Sequence, residues 1–241
     1  MNYFEIKKKI DAKYGCLIAE TISSIGNKGC DEGFRNAGSS GEKKTADYII
    51  SQMNNIGLHG IETNSFPVDT WEYVSSNLLI DFESGAQVEI PLSAFAGSPG
   101  FKNKKIKSQL IDVGHGTLEE CNKAADLDGN IAIIRINLSG EYWVGVPAHQ
   151  AEIMGAVAII TVYEGDSFGK DPDARNTADC IARPSIPIFN ISKNDARLLF
   201  DYLNKGNLFV TLQADMSLTT GSSQNIRLMI RMCGKENCLT H

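Results

Sequence analysis

Gly129-Asn130-Ile131-Ala132-Ile133-Ile134-Arg135-Ile136 opens on a turn dipeptide and then runs almost continuously apolar. A strand with one wet face alternates apolar and polar residues. This one does not, so it reads as a strand covered on both faces. Pro147 opens a predicted helix through Met154, and Gly155 ends it. Residues 156–162, Ala-Val-Ala-Ile-Ile-Thr-Val, then read as a second buried strand. Upstream, residues 110–113 form a short strand, Gly114-His115-Gly116 a turn, and residues 118–125 a short helix. Downstream come a polar loop over 166–183, a strand over 186–191 and a helix over 194–204 capped by Ser192. A strand over 208–212 follows. Pro187 has no N–H to donate, which predicts an edge position for its strand. Strand and helix in alternation imply α/β packing with some parallel pairing.

The N-terminal part has a different texture. Ile6, Ile10, Tyr14, Leu17, Ile18, Thr21, Ile22 and Ile25 share one face of a helix predicted over 3–25. Lys7, Lys8, Lys9 and Asp11 face water. A Gly-, Asn- and Ser-rich loop covers 26–41. Ser39 and Glu42 have capping-box spacing: the serine hydroxyl accepts from the Glu42 amide, and the carboxylate reaches back. A second helix is predicted over 42–56, with Ala46, Ile49, Ile50, Met53 and Ile56 as its stripe and left-handed Gly57 as its end. Period-two signal then runs over 61–95, with strands at 71–82 and 86–90 joined by Ser84-Gly85. Residues 94–107 read as a linker whose Lys102, Lys104, Lys105 and Lys107 face solvent.

Composition bounds the function. The chain has 241 residues, 42% hydrophobic and 22% charged, which is globular and not disordered. A net charge of −6 disfavours nucleic acid as a partner. No apolar run reaches the ~20 residues needed to cross a bilayer, so no membrane role is expected. Charges at Glu5 and Lys7 to Lys9 sit where a signal peptide needs its apolar stretch, so a cytoplasmic location is expected; a chain trimmed of a leader would read the same. Cys16, Cys30, Cys121, Cys180, Cys233 and Cys238 are scattered and are expected to be reduced thiols. Cys233 and Cys238 have no second pair with which to complete a structural zinc site.

The residues from Gly129 to Arg135, from Met154 to Ile160 and from Ile186 to Ser192 resemble, in order and spacing, a protease-associated domain. Phe34-Arg35-Asn36-Ala37-Gly38-Ser39-Ser40-Gly41-Glu42, continuing through Tyr48 and Ile56-Gly57-Leu58, looks like the N-terminal segment of zinc-dependent aminopeptidases of the transferrin-receptor and glutamate-carboxypeptidase kind. Ser223-Gln224-Asn225-Ile226 and Cys233-Gly234-Lys235 look like the return strand into the peptidase sheet. The resemblance implies three segments: 1–95, helices and strands of the peptidase domain; 96–218, the protease-associated domain; and 219–241, a truncated return strand. The implied fold is α/β: a β-rich sandwich or open barrel with flanking helices, preceded by two helices and strands of an incomplete peptidase domain. The implied role is substrate gating in a parent enzyme that hydrolyses peptides with zinc.

This sequence departs from the family where the metal should be. The family's His-x-Asp pair and its further Asp, Glu and His ligands hold two zinc ions, and His241 is followed by no such aspartate. Residues 236–240, Glu-Asn-Cys-Leu-Thr, make no apolar strand leading into it. No catalytic or metal-binding residue is therefore assigned, substrate-binding residues are unidentified, and no cofactor is expected in this chain. Whether it is an enzyme stays open. His59 follows a helix end, and His115 is explained by its turn between two glycines. His149 and Glu152 lie one turn apart and make at most half a metal site. Asp171-Pro172-Asp173 lacks the glycine and terminal glutamate of a calcium loop. The alternative is a stand-alone protein- or peptide-binding module without catalysis, dimerising through exposed apolar helix faces. A hydrolase built on Cys and His has no local signature here.

Overall fold

The structure, a computed structural model, describes residues 10–26, 34–82, 86–100, 105–124, 126–137, 143–165, 170–175, 177 and 185–228. Among them are helices α1 (Ala12–Ser23), α2 (Ser40–Asn55), α3 (Leu118–Lys123), α4 (Gly145–Ile153) and α5 (Lys193–Leu203). The strands are β1 (Ile61–Asp81), β2 (Gln87–Ala94), β3 (Lys105–Asp112), β4 (Ile131–Ile136), β5 (Ala158–Tyr163), β6 (Ile188–Asn190) and β7 (Leu208–Leu228). The chain divides into two compact units, one made of 1–70 with 220–241 and the other of 71–219. The second half of β1, and β2, fall in the larger of these units. The Ser84-Gly85 turn, most of the 166–183 loop, Lys7 to Lys9, Lys102, Lys104, Cys30 and Cys180 lie outside the described residues, as does everything beyond Leu228.

In the larger unit the strands close into a barrel in the order β1-β2-β6-β5-β4-β3-β7. The expected sandwich or open barrel is thereby corrected: the ring has no open side, which removes unpaired strand edges. β3, β4, β5 and β6 run parallel to one another, Leu110 opposite Ile131, Ile131 opposite Ala158 and Ile159 opposite Ile188. β1–β2, β2–β6 and β3–β7 are antiparallel. β6 lies between β2 and β5, so it is not the edge strand Pro187 suggested. The proline sits just before the strand, outside its ladder, and its carbonyl accepts from the Ile159 amide at 3.0 Å. β7 is also far longer than the predicted 208–212, since Leu208, Val210, Leu212, Ala214 and Met216 continue one buried face.

In the smaller unit Ser39 accepts from Glu42 N at 3.2 Å, as the capping reading requires. The Glu42 carboxylate does not return to Ser39. It accepts from Gly38 N at 2.6 Å and from the Ser223 hydroxyl, tying the helix start to β7. Gly38 adopts φ 78°, and a Cβ there or at Gly221 would collide with the Thr70 hydroxyl, so both close approaches require glycine. Tyr14 donates to Gln52 Oε1 at 2.9 Å, joining α1 to α2, and Arg35 donates to the carbonyls of Ile22 and Ile25 at the end of α1. No helix among the described residues is long and apolar enough to cross a membrane.

The barrel wall explains the continuous apolar run. Ala132, Ile134 and Ile136 pack on one face with Cys121 of α3 and with Ala148 and Ala151 of α4. Ile131 and Ile133 alternate to the other face and are equally buried. Replacing Ile134 by Ala leaves a cavity between the wall and these helices. The expected loss is about 2–5 kcal/mol, read as a lower urea midpoint with unchanged slope.

Candidate functional site

The carboxyl ends of parallel strands collect polar side chains here, because each strand hands over to a turn at the same rim. Asp112 ends β3, Arg135 stands near the end of β4, and Glu164 follows β5. Arg135 donates from Nη1 to Asp112 Oδ1 at 3.0 Å and from Nη2 to Oδ2 at 2.6 Å, a two-point ion pair. The guanidinium carbon also lies over the Phe200 ring on α5, 4.2 Å from its centre, a cation–π contact.

Gly114 and Gly116, at φ 62° and 71°, turn the chain beyond β3 and present His115 between them. Its Nδ1 is 3.3 Å from Glu120 Oε1, and its Nε2 is 3.1 Å from Glu164 Oε2. Glu120 is the third residue of α3 and completes a capping box. Thr117 Oγ1 accepts from Glu120 N at 3.2 Å, and Glu120 Oε2 accepts from Thr117 N at 3.2 Å. Burial opposes ionisation of Glu120. Hydrogen bonds from the Thr117 hydroxyl, the His115 and Thr117 amides and the His115 ring outweigh it, and the carboxyl is held at about 2. Next to it, burial first and the Glu120 charge second push the Cys121 thiol up, which leaves it unreactive.

Sequence reading dismissed His115 as a turn residue. The turn is there, but the ring is gripped from both sides by carboxylates, one five residues on and one 49 on. Thr117-x-x-Glu120 was the legible signal for half of this arrangement, since it is a capping-box pattern. Nothing local marks Glu164. His149 and Glu152 do meet, at 3.6 Å, yet Glu152 serves packing: it accepts from Ser185 N at 2.8 Å and from the Ser185 hydroxyl. Burial opposes ionisation of Glu152 too, and the Ser185 and His149 bonds reverse the balance and lower its pKa. His59 is exposed after α2. Asp171 accepts from Asp173 N at 2.9 Å, a local turn. His241, Cys233 and Cys238 lie outside the described residues. In the smaller unit, a hollow of about 310 Å³ is lined by Ser39, Ser40, Ser65, Ser222, Ser223 and Lys43, among others.

No family model and no curated protein matches the chain. Solved structures do. A zinc aminopeptidase from Bacillus subtilis superposes with a TM-score of 0.62 and 27% identity, over 87% of this chain and 45% of that one. The likeness is to zinc aminopeptidases. An aminopeptidase from Aneurinibacillus sp. strain AM-1 gives 0.61 at 23% identity, over 95% of this chain and 50% of that one. A peptidase M28 precursor from Shewanella amazonensis SB2B gives 0.63 at 21%, over 89% and 50%. The last two carry the fold alone, and the mixed α/β architecture is common ground. This chain spans about half the length of the aminopeptidases it matches. Among the described residues no group of three or more His, Cys, Asp or Glu is disposed to hold a metal ion.

The capping box at Glu120 carries a measurable acid dependence. Its pKa is about 2 in the fold against 4.5 ordinarily, so its contribution is complete above pH 4.5 and is lost as the pH falls through about 2. With the side chain 35% exposed, screening reduces that contribution to about 1 kcal/mol. Thr117→Ala is expected to cost about 1 kcal/mol at neutral pH and to shrink the acid loss. Urea midpoints taken at several pH values from neutral down into that acid range check both effects.

Proposed function

We propose that this chain is the N-terminal and barrel-bearing portion of a zinc-dependent aminopeptidase, with the barrel a protease-associated domain that borders the peptide cleft and limits which peptides enter. One observation carries the reading: 27% identity to a zinc aminopeptidase across 87% of this chain, with a matching course of the backbone. The buried parallel strands β4 and β5, and the turn through Gly155 that connects α4 to β5, are the residues on which the resemblance rests. In this reading peptide hydrolysis belongs to the longer parent, and the 241 residues are inert by themselves, because they contain no His-x-Asp pair. We place the protein in a reducing compartment, the cytoplasm, where scattered cysteines stay as thiols; among the described residues Cys16 and Cys121 are free.

A second reading, a binding module that pairs with its own copy, draws on α1. That helix buries none of its side chains; Leu17 on it and Ile10 just before it are 57% and 67% exposed. Light scattering of the purified chain separates the two: a dimer broken by Leu17→Glu favours self-association, and a monomer favours the peptidase reading.

Assay with an aminoacyl-nitroanilide, in the presence of zinc, tests the main proposal. The expected outcome is no turnover above buffer and no stoichiometric zinc by elemental analysis. Chelator-sensitive turnover by this chain would overturn its inertness.

A further inference from the structure

The His115 arrangement has a requirement of its own. An ionised carboxylate offers only acceptors, and a neutral imidazole has one donor and one bare lone pair. Glu120 and Glu164 face the two different ring nitrogens at 3.3 and 3.1 Å. A neutral ring would satisfy one carboxylate and turn a lone pair toward the other. Only the imidazolium, with a donor on each nitrogen, satisfies both. Glu120 cannot relieve the conflict by taking a proton near neutral pH, because its four hydrogen-bond contributions from Thr117 and His115 favour the anion.

We propose that His115 is an imidazolium latch, joining the start of α3 to the end of β5 across the carboxyl-end rim of the barrel and releasing them as the pH rises. The two anchored segments are far apart in sequence, so the ring is a crosslink between separate elements. Gly114 donates to Asp112 Oδ1 and accepts from Arg135 N, which fixes the stem of the turn while the ring spans its tip. The charged groups around the ring come from every neighbouring element described. Glu120 stands on α3 and Glu164 after β5; the Asp112–Arg135 pair comes from β3 and β4; Lys193, at the start of α5, donates to the Gly165 carbonyl next to Glu164. The Asp112–Arg135 pair is internally neutral. Lys193 offsets part of the negative charge, and the two glutamates, in direct contact with the ring, set the local sign in favour of a cation on His115. A folded-state pKa raised in this way contributes stability that is complete below the unfolded imidazole value and is lost as pH rises through the folded value. The ring and both carboxylates are about one-third exposed, so added salt weakens the latch. The latch does not depend on the peptidase reading.

Imidazole NMR titration of the whole 241-residue chain tests this, together with amide hydrogen exchange at Gly116, Thr117 and Glu164 corrected for intrinsic base catalysis. The His115 resonance is expected to titrate above the value for imidazole in the unfolded chain. Glu164→Gln, a conservative change at a partly exposed site, should lower that midpoint by roughly one unit, the ordinary spread of histidine values in folded proteins. Corrected exchange at the three amides should rise through the wild-type midpoint, and in His115→Gln it should lose this dependence on pH. A midpoint at or below the unfolded value would overturn the latch. So would a midpoint unmoved by Glu164→Gln, or identical corrected exchange profiles in His115→Gln and wild type.

Discussion

Burial of β4 and β5 on both faces is the constraint from which the larger unit follows. Every residue of β5 and all but Arg135 of β4 is shielded from water. Their backbone groups have no solvent to turn to, so they must be paired on both sides, and parallel neighbours β3 and β6 supply that pairing. Parallel strands need crossovers, and α3 lies on the one from β3 to β4 and α4 on the one from β4 to β5. Cys121, Ala148 and Ala151 on α3 and α4 then cover one apolar face. Continuing the sheet through β2, β1 and β7 until it meets itself disposes of the remaining edges.

The same geometry accounts for the polar rim. Parallel strands finish on one side, and each then needs a turn, so side chains unsuited to the wall gather there. Arg135 is the one polar residue of β4, and it is tolerated because Asp112 neutralises it at two points and its guanidinium lies over the Phe200 ring. His115 and its two glutamates occupy the neighbouring position. The rim is thus held by charges that satisfy one another, which gives order without an apolar core. It also makes this part of the barrel more responsive to pH and salt than the isoleucine wall beneath it.

The relation to zinc aminopeptidases rests on shared backbone course and 27% identity in one case, over about half of the relative's length. That is consistent with the resemblance read from residues 34–58 and 129–192.

Strand and helix identities were legible from the sequence because periodicity and caps are local. The run from Ile131 to Ile136, the caps at Ser39 and Ser192 and the left-handed Gly57 are each set by residues within one turn of themselves. Closure of the barrel was not legible, since a strand's own residues do not name its partners. Pro187 misled for that reason: it marks where donation stops, and a carbonyl bond to Ile159 keeps β6 inside the sheet. Half of the His115 site, Thr117 and Glu120, was written in adjacent residues. The other half was decided only when β5 ran parallel to β4 and delivered Glu164 to the far ring nitrogen, because electrostatic pairing depends on distance in space and not along the chain.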